Sequence, residues 1–235
     1  MGFNLGVTAF SSEPDIAGLR DAMSGGKWRV YGAPDQSAWL LDFGSGPKDP
    51  GPNFWDATAF LAPRGTPAVA DLPDLHEEPS ELLADLAYSA KLLSRAAGAP
   101  CFTCISSDEL IDAVATADGG EITLMAAIEQ RDEKIDERRH HDRVIAHIYE
   151  NGEARQEILA DLIVVDDGKT VFIEQEIVPG YVINGLSERM MTSFLGKRLP
   201  VFDDNYLASE QWGWPLIAMH PEKKKGGFFT KLFGR

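Results

Sequence analysis

A chain of 235 residues with 44% hydrophobic and 25% charged side chains has ordinary globular composition, and it is long enough to bury a core without disulfide or metal staples. Its apolar fraction, with 22 Gly and 14 Pro scattered along it, excludes collagen, coiled coil and wholesale disorder. The net charge is −15, but residues 221–235 set Lys223, Lys224, Lys225, Lys231 and Arg235 against Glu222, a local +4 that leaves −19 on the rest. A body that acidic repels phosphate backbones, which argues against nucleic-acid binding and for a basic partner.

The N-terminal residues have no basic segment ahead of an apolar stretch, so no secretory signal is expected there. No run of about 18 apolar residues suggests a spanning helix. With two cysteines and no disulfide framework, the expected location is the cytoplasm.

In chain order, the spacing predicts a short helix over Asp15–Met23, then strands over Lys27–Tyr31 and Ala38–Phe43 around a Pro34-Asp35-Gln36 turn. Pro- and Gly-rich stretches flank Phe54–Leu61, which is apolar enough to be buried. Leu83, Leu86, Ala90 and Leu93 fall at three- and four-residue steps, predicting a helix over Ser80–Ala97 with Ser80 as its cap and Gly98 as its stop. A buried strand over Cys101–Ile105 follows. The Ser106-to-Glu109 capping-box spacing then predicts a helix ending at Asp118-Gly119-Gly120. Glu121–Glu129 reads as a strand, and the charged stretch 130–143 as a solvated excursion or subdomain boundary. Turn signals at Asn151-Gly152 and Asp167-Gly168 divide 143–178 into a three-stranded meander. One more helix is expected near Leu186–Leu195. The fold class is α+β: an antiparallel sheet with a few helices, one domain over 1–220, and a flexible basic tail over 221–235.

If both meander turns are two-residue loops, Asp161 faces Glu174 on one side and Asp142 on the other, with Glu176 and His140 on the same face. Carboxylates directly opposite one another destabilise a sheet unless something neutralises them, and a divalent cation would do so. Asp161-Leu162-Ile163-Val164-Val165, a turn, then Val171-Phe172-Ile173-Glu174-Gln175-Glu176 resembles the metal-binding hairpin of PD-(D/E)xK nucleases. The resemblance implies Asp161 and Glu174 as metal ligands, with Glu176 where the family usually has lysine and Ala160 in place of its proline. On this alternative, Asp161, Glu174 and Glu176 are the catalytic residues of a metal-dependent hydrolase, and Asp142, Asp161 and Glu174 hold the metal. On the other reading, Ile145, Tyr149, Ile158, Leu162, Val164, Val171, Ile173 and Ile177 form the core face, and the carboxylates are the wet side of the sheet. No cofactor is expected.

Cys101 and Cys104 form a CxxC, but three residues apart on a strand they point to opposite faces, as buried structural cysteines do. Trp212-Gly213-Trp214-Pro215 reads as core or a ligand platform. No nucleophile-elbow, phosphate-loop or dinucleotide fingerprint is present.

The tail is the most distinctive feature. On a helix Phe228, Phe229, Leu232 and Phe233 share one face, while Lys231 and Arg235 lie opposite. It resembles the short C-terminal membrane-targeting helices of MinD-type cell-division proteins. That implies a weak, reversible anchor at the inner face of an anionic membrane, in which Lys223, Lys224 and Lys225 join the electrostatic attraction. The same residues suit docking on protein: the chain's own acidic body, a homodimer or an unknown partner. The leading expectation is a non-enzymatic binding protein; an inhibitor- or immunity-type protein for a basic partner is the further alternative.

Overall fold

The computed structural model describes residues 4–23, 28–42, 77–107, 111–178, 185–199 and 214–220. Phe54–Leu61 and the tail from Pro221 to Arg235 lie outside them. Ten strands form one sheet: β1 (Asn4–Phe10), β2 (Trp28–Gly32), β3 (Trp39–Asp42), β4 (Cys101–Ser107), β5 (Ile111–Asp118), β6 (Glu121–Lys134), β7 (Arg139–Glu150), β8 (Glu153–Asp166), β9 (Val171–Val178) and β10 (Leu216–His220). Their order is β10-β2-β3-β1-β4-β5-β6-β7-β8-β9, with antiparallel neighbours throughout. Three described helices complete the fold: α1 (Ile16–Ala22), α2 (Glu77–Ala97) and α3 (Gly185–Leu195). The coarse α+β expectation stands, with much more sheet than expected.

The sheet is covered on both faces near its middle. On one face α2 buries Leu83, Leu86, Ala87 and Ala90 against Ile105, Ala113, Ala115 and Met125. Its last turns, with Leu93 and Ala97, join α1 over Phe10, Trp28 and Leu41. Each fully buried leucine contributes about 1.5–3 kcal/mol. On the opposite face α3 sets Leu186, Met191 and Leu195 on Val7, Phe102, Val114 and Ala126.

The expected helices at Asp15–Met23 and Leu186–Leu195 are α1 and α3, and Asp15 caps α1 by accepting from the Ala17 N–H at 2.9 Å. The expected helix at Ser80–Ala97 begins earlier, at Glu77, so Ser80 lies within it and is not its cap. A larger correction falls on Ser106–Gly120, where the chain forms β5 instead of a helix. Ala113, Ala115 and Ala117 alternate onto the face beneath α2, while Val114 faces α3. Small side chains let the helix lie close to the sheet, close enough for Thr103 Oγ1 to donate to the Leu86 carbonyl at 3.1 Å. Burial on both faces overrides the helical preference of alanine. Gly119 and Gly120 turn the β5–β6 hairpin, and Asn151 and Gly152 turn β7–β8, with positive φ at all four as a type I′ turn requires.

Two strands are absent from the sequence reading. β1 lies between β3 and β4 near the middle of the sheet, and β10 adds to β2 at one edge. The charged stretch 130–143 is the outer half of the β6–β7 hairpin, closed by a turn in which Asp136 accepts from the Arg138 and Arg139 amides at 2.9 Å each.

Candidate docking surface

The long hairpins β6–β7 and β8–β9 run past the helices, and here the register decides which side chains meet. From the Asn151-Gly152 turn, β7 and β8 pair as a two-residue loop dictates as far as Ile145 with Ile158. A bulge at Leu159 then shifts the pairing, so Arg143, not Asp142, stands opposite Asp161. The β8–β9 connection is longer than expected. β8 ends at Asp166 and β9 starts at Val171, while Asp167 Oδ1 accepts from the Lys169 and Thr170 amides at 2.9 and 2.8 Å. Two further register shifts leave Asp161 opposite Val178 and Glu176 opposite Leu162.

The expected carboxylate row is therefore corrected. Asp142 and Glu176 flank Leu162 on the α3 side of the sheet, Asp161 shares the α2 side with His141 and Arg143, and Glu174 falls at a bulge. Neither the ligand set Asp142, Asp161 and Glu174 nor the catalytic set Asp161, Glu174 and Glu176 lies in one row. Among the described residues, no three His, Cys, Asp or Glu side chains are grouped to hold a metal ion.

Asp161, Glu129, Asp132 and Asp142 each meet a cation or donor of the chain itself. Asp161 meets His141 Nε2 at 2.5 Å and Arg143 Nε at 3.7 Å. Glu129 receives Arg131 Nε at 2.7 Å and His147 Nε2 at 2.6 Å; the Arg131 hydrogen bond does most to hold its carboxyl below the usual range. Asp132 stands directly opposite Asp142, with His140 Nδ1 at 3.0 Å from the first and Gln130 donating to the second at 3.1 Å. His140, expected beside a metal, is Asp132's partner.

Apolar side chains are uncompensated. The register puts Leu162, Val164, Val171 and Ile173 on the α3 side, and Ile163, Val165 and Phe172 on the α2 side. Every residue from Val171 to Ile177 is exposed, including Val171 (68%), Phe172 (51%), Ile173 (48%) and Ile177 (53%). Ile158 and Ile135 are exposed as well. Of the expected core face, Ile145 is buried, but Ile158, Val171, Ile173 and Ile177 are not. The helices pack chiefly over β4, β5 and β6, and α3 reaches β8 through the Arg189–Glu157 ion pair, at 2.6 Å.

A sequence signal for this surface exists: Leu162-Ile163-Val164-Val165 is apolar at consecutive positions, the pattern of a strand covered on both faces. Along the edge itself, two bulges and the charges of Glu174 and Glu176 oppose simple strand addition. The exposed faces, more than the backbone edge, are what a partner could cover.

Cys101 and Cys104 are both buried, on opposite faces of β4. Burial pushes both thiols up, Cys104 to about 12 with the Asp112 charge adding to it, which opposes thiolate formation at both. Trp214 is buried in the α3-side core beneath Lys197 Nζ, 5.3 Å from its ring, and Trp212 lies outside the described residues. Lys223, Lys224, Lys225, Phe228, Phe229, Lys231, Leu232, Phe233 and Arg235 also lie outside them. No described helix is long and apolar enough to cross a membrane. Comparison with known protein families, curated proteins and solved structures returns no match, so a functional reading rests on the chain itself.

Proposed function

We propose that this chain is a non-enzymatic binding protein with two docking elements: the uncovered apolar surface of β8–β9 and the cationic, phenylalanine-rich tail. The carrying observation is the exposure of Val171, Phe172, Ile173 and Ile177 beside a β8 run that is apolar on both faces. Apolar side chains left exposed together on one hairpin gain nothing from burial in the isolated chain, and such patches mark interaction sites. The acidic body favours a basic partner, and the tail suits docking on protein or attraction to an anionic bilayer.

The native cysteines make the test simple, because both are buried. In full-length Ile173→Cys the introduced thiol is the one expected to react with a maleimide under native conditions. Labelling in dilute solution at the rate of a small free thiol supports a surface left open for a partner. Labelling slowed a hundredfold or more would mean that the chain covers its own surface, and the reading would fail.

A further inference from the structure

We propose that the β8–β9 surface is covered by residues 221–235 of a second copy of this chain, each copy lending its tail to the other. This deepens the docking reading above and rests on it. The two surfaces match in chemistry. Along β8–β9 from Asp161 to Val178, Asp161, Asp166, Asp167, Glu174 and Glu176 stand against Lys169, a formal −4 that Arg143 beside Asp161 and Arg139 beside Glu174 reduce to −2, around the exposed Val171, Phe172, Ile173 and Ile177. The tail presents the complement, +4 around Phe228, Phe229, Leu232 and Phe233. Opposite charge around apolar centres sets register and excludes like-charged competitors.

Reach decides that the tail comes from another copy. Among the described strands, β10, which precedes the tail, and β9 are the two edges of the sheet. Nine strand spacings separate them, about 43 Å across the sheet. The row through Ala218 passes Val30, Leu41, Thr8, Thr103, Ala115, Met125 and Tyr149 to Ala154, so His220, two residues on, leaves β10 level with Gln156. Val164, the neighbour of Ile173, is eight residues further along β8, about 26 Å more. Measured along the sheet, whose two faces are covered by helices near its middle, the corner-to-corner path is thus about 50 Å. Thirteen residues beyond His220, Phe233 reaches about 47 Å only if the chain is fully extended, and Phe228 reaches about 29 Å. A flexible thirteen-residue segment averages only about 20 Å. A tail that follows the sheet falls short of its own β9 in all but its most extended forms, whereas two copies can exchange tails. The reciprocal arrangement repeats one contact about a two-fold axis and closes on itself.

The experiment mixes two full-length variants, Ile173→Cys and Thr230→Cys, at micromolar concentration under mild oxidation. The expected result is a disulfide-linked dimer containing one of each, reduced several-fold in molar salt because the attraction is screened. A chain carrying both substitutions, diluted to nanomolar, should form no intrachain disulfide. An intrachain disulfide overturns the exchange. So does a mixture that yields no mixed disulfide while sedimenting as monomer. If the full chain floats with phosphatidylglycerol vesicles and gives no mixed disulfide, the tail belongs to a bilayer and the proposal is likewise overturned. Fast maleimide labelling of Ile173→Cys at every concentration without a mixed disulfide defeats the second copy alone; slow labelling of the dilute monomer defeats the docking reading itself.

Discussion

At the scale of single residues, two carboxylates show how position assigns work to chemically similar groups. Asp112 is buried on β5, 74 residues from the helix it caps: it accepts from the Leu186 N–H at 3.0 Å and the Ser187 N–H at 3.1 Å, and from the Ser187 hydroxyl. These amides belong to the first turn of α3, where no intrahelical acceptor exists. Asp112→Ala removes that acceptor from a buried site and should cost about 3 kcal/mol, measured as a lower urea midpoint with unchanged slope. A loss under about 1 kcal/mol would show that the helix finds another cap. Asp136 is exposed, and three donors from its own turn pull its carboxyl from 3.8 down to about 2, the Arg138 amide first. A depressed carboxylate contributes to stability above its unfolded value and loses that contribution as pH falls through the folded one. The β6–β7 turn should therefore loosen between pH 3.8 and about 2, seen as faster amide exchange at Arg138 and Arg139 over that window. Turn exchange insensitive to pH there would remove Asp136 from this role. The opposed cysteines were legible from strand parity alone. Asp112 was not, because nothing local in the sequence links it to Ser187.

At the scale of elements, the three described helices were legible because their periodicity and stops are local. α1 and α2 also meet through a contact that only packing reveals: a Cβ on Gly18 would lie 2.0 Å from the Ala96 carbonyl oxygen. Gly18→Ala should destabilise the protein by about 2 kcal/mol or more despite the better helix propensity of alanine, measured by thermal or urea unfolding. A stabilised variant would mean that the two helices can part at little cost. Strand faces were harder to read. The Asn151-Gly152 turn set the β7–β8 register as far as Ile145, and the bulge at Leu159 then changed which residues meet. Because strand side chains alternate with a period of two, such small shifts in β8 and β9 were enough to dissolve the expected carboxylate row. The Ser106–Gly120 helix failed for a different reason: alanines that favour a helix in isolation are needed here as a thin layer under α2.

At the scale of the whole molecule, the antiparallel sheet has its helices gathered near the middle and its longest hairpins at one side. The α+β class and most elements between Asp15 and Leu195 followed from patterns within about twenty residues. β1 and β10 did not, since their partners are distant in sequence: β1 joins Cys101–Ser107, and β10 joins Trp28–Gly32. The exposed side of β8–β9 was read as core because apolar residues ordinarily are, and composition cannot say whether the covering layer belongs to the same chain.

The pairing of β10 with β2 also orders events during synthesis. Trp28, Val30 and Tyr31 are almost wholly buried, yet the strand that covers their edge ends at His220. At about 5–20 residues per second, a ribosome needs on the order of ten to forty seconds to advance from Asp42 to His220. Through that interval β2 lacks the strand that pairs with its outer edge in the finished sheet. A polysome translating this message holds several such edges close together, so the vulnerable moment for aggregation precedes release of the chain, and slower elongation over the last codons would prolong it.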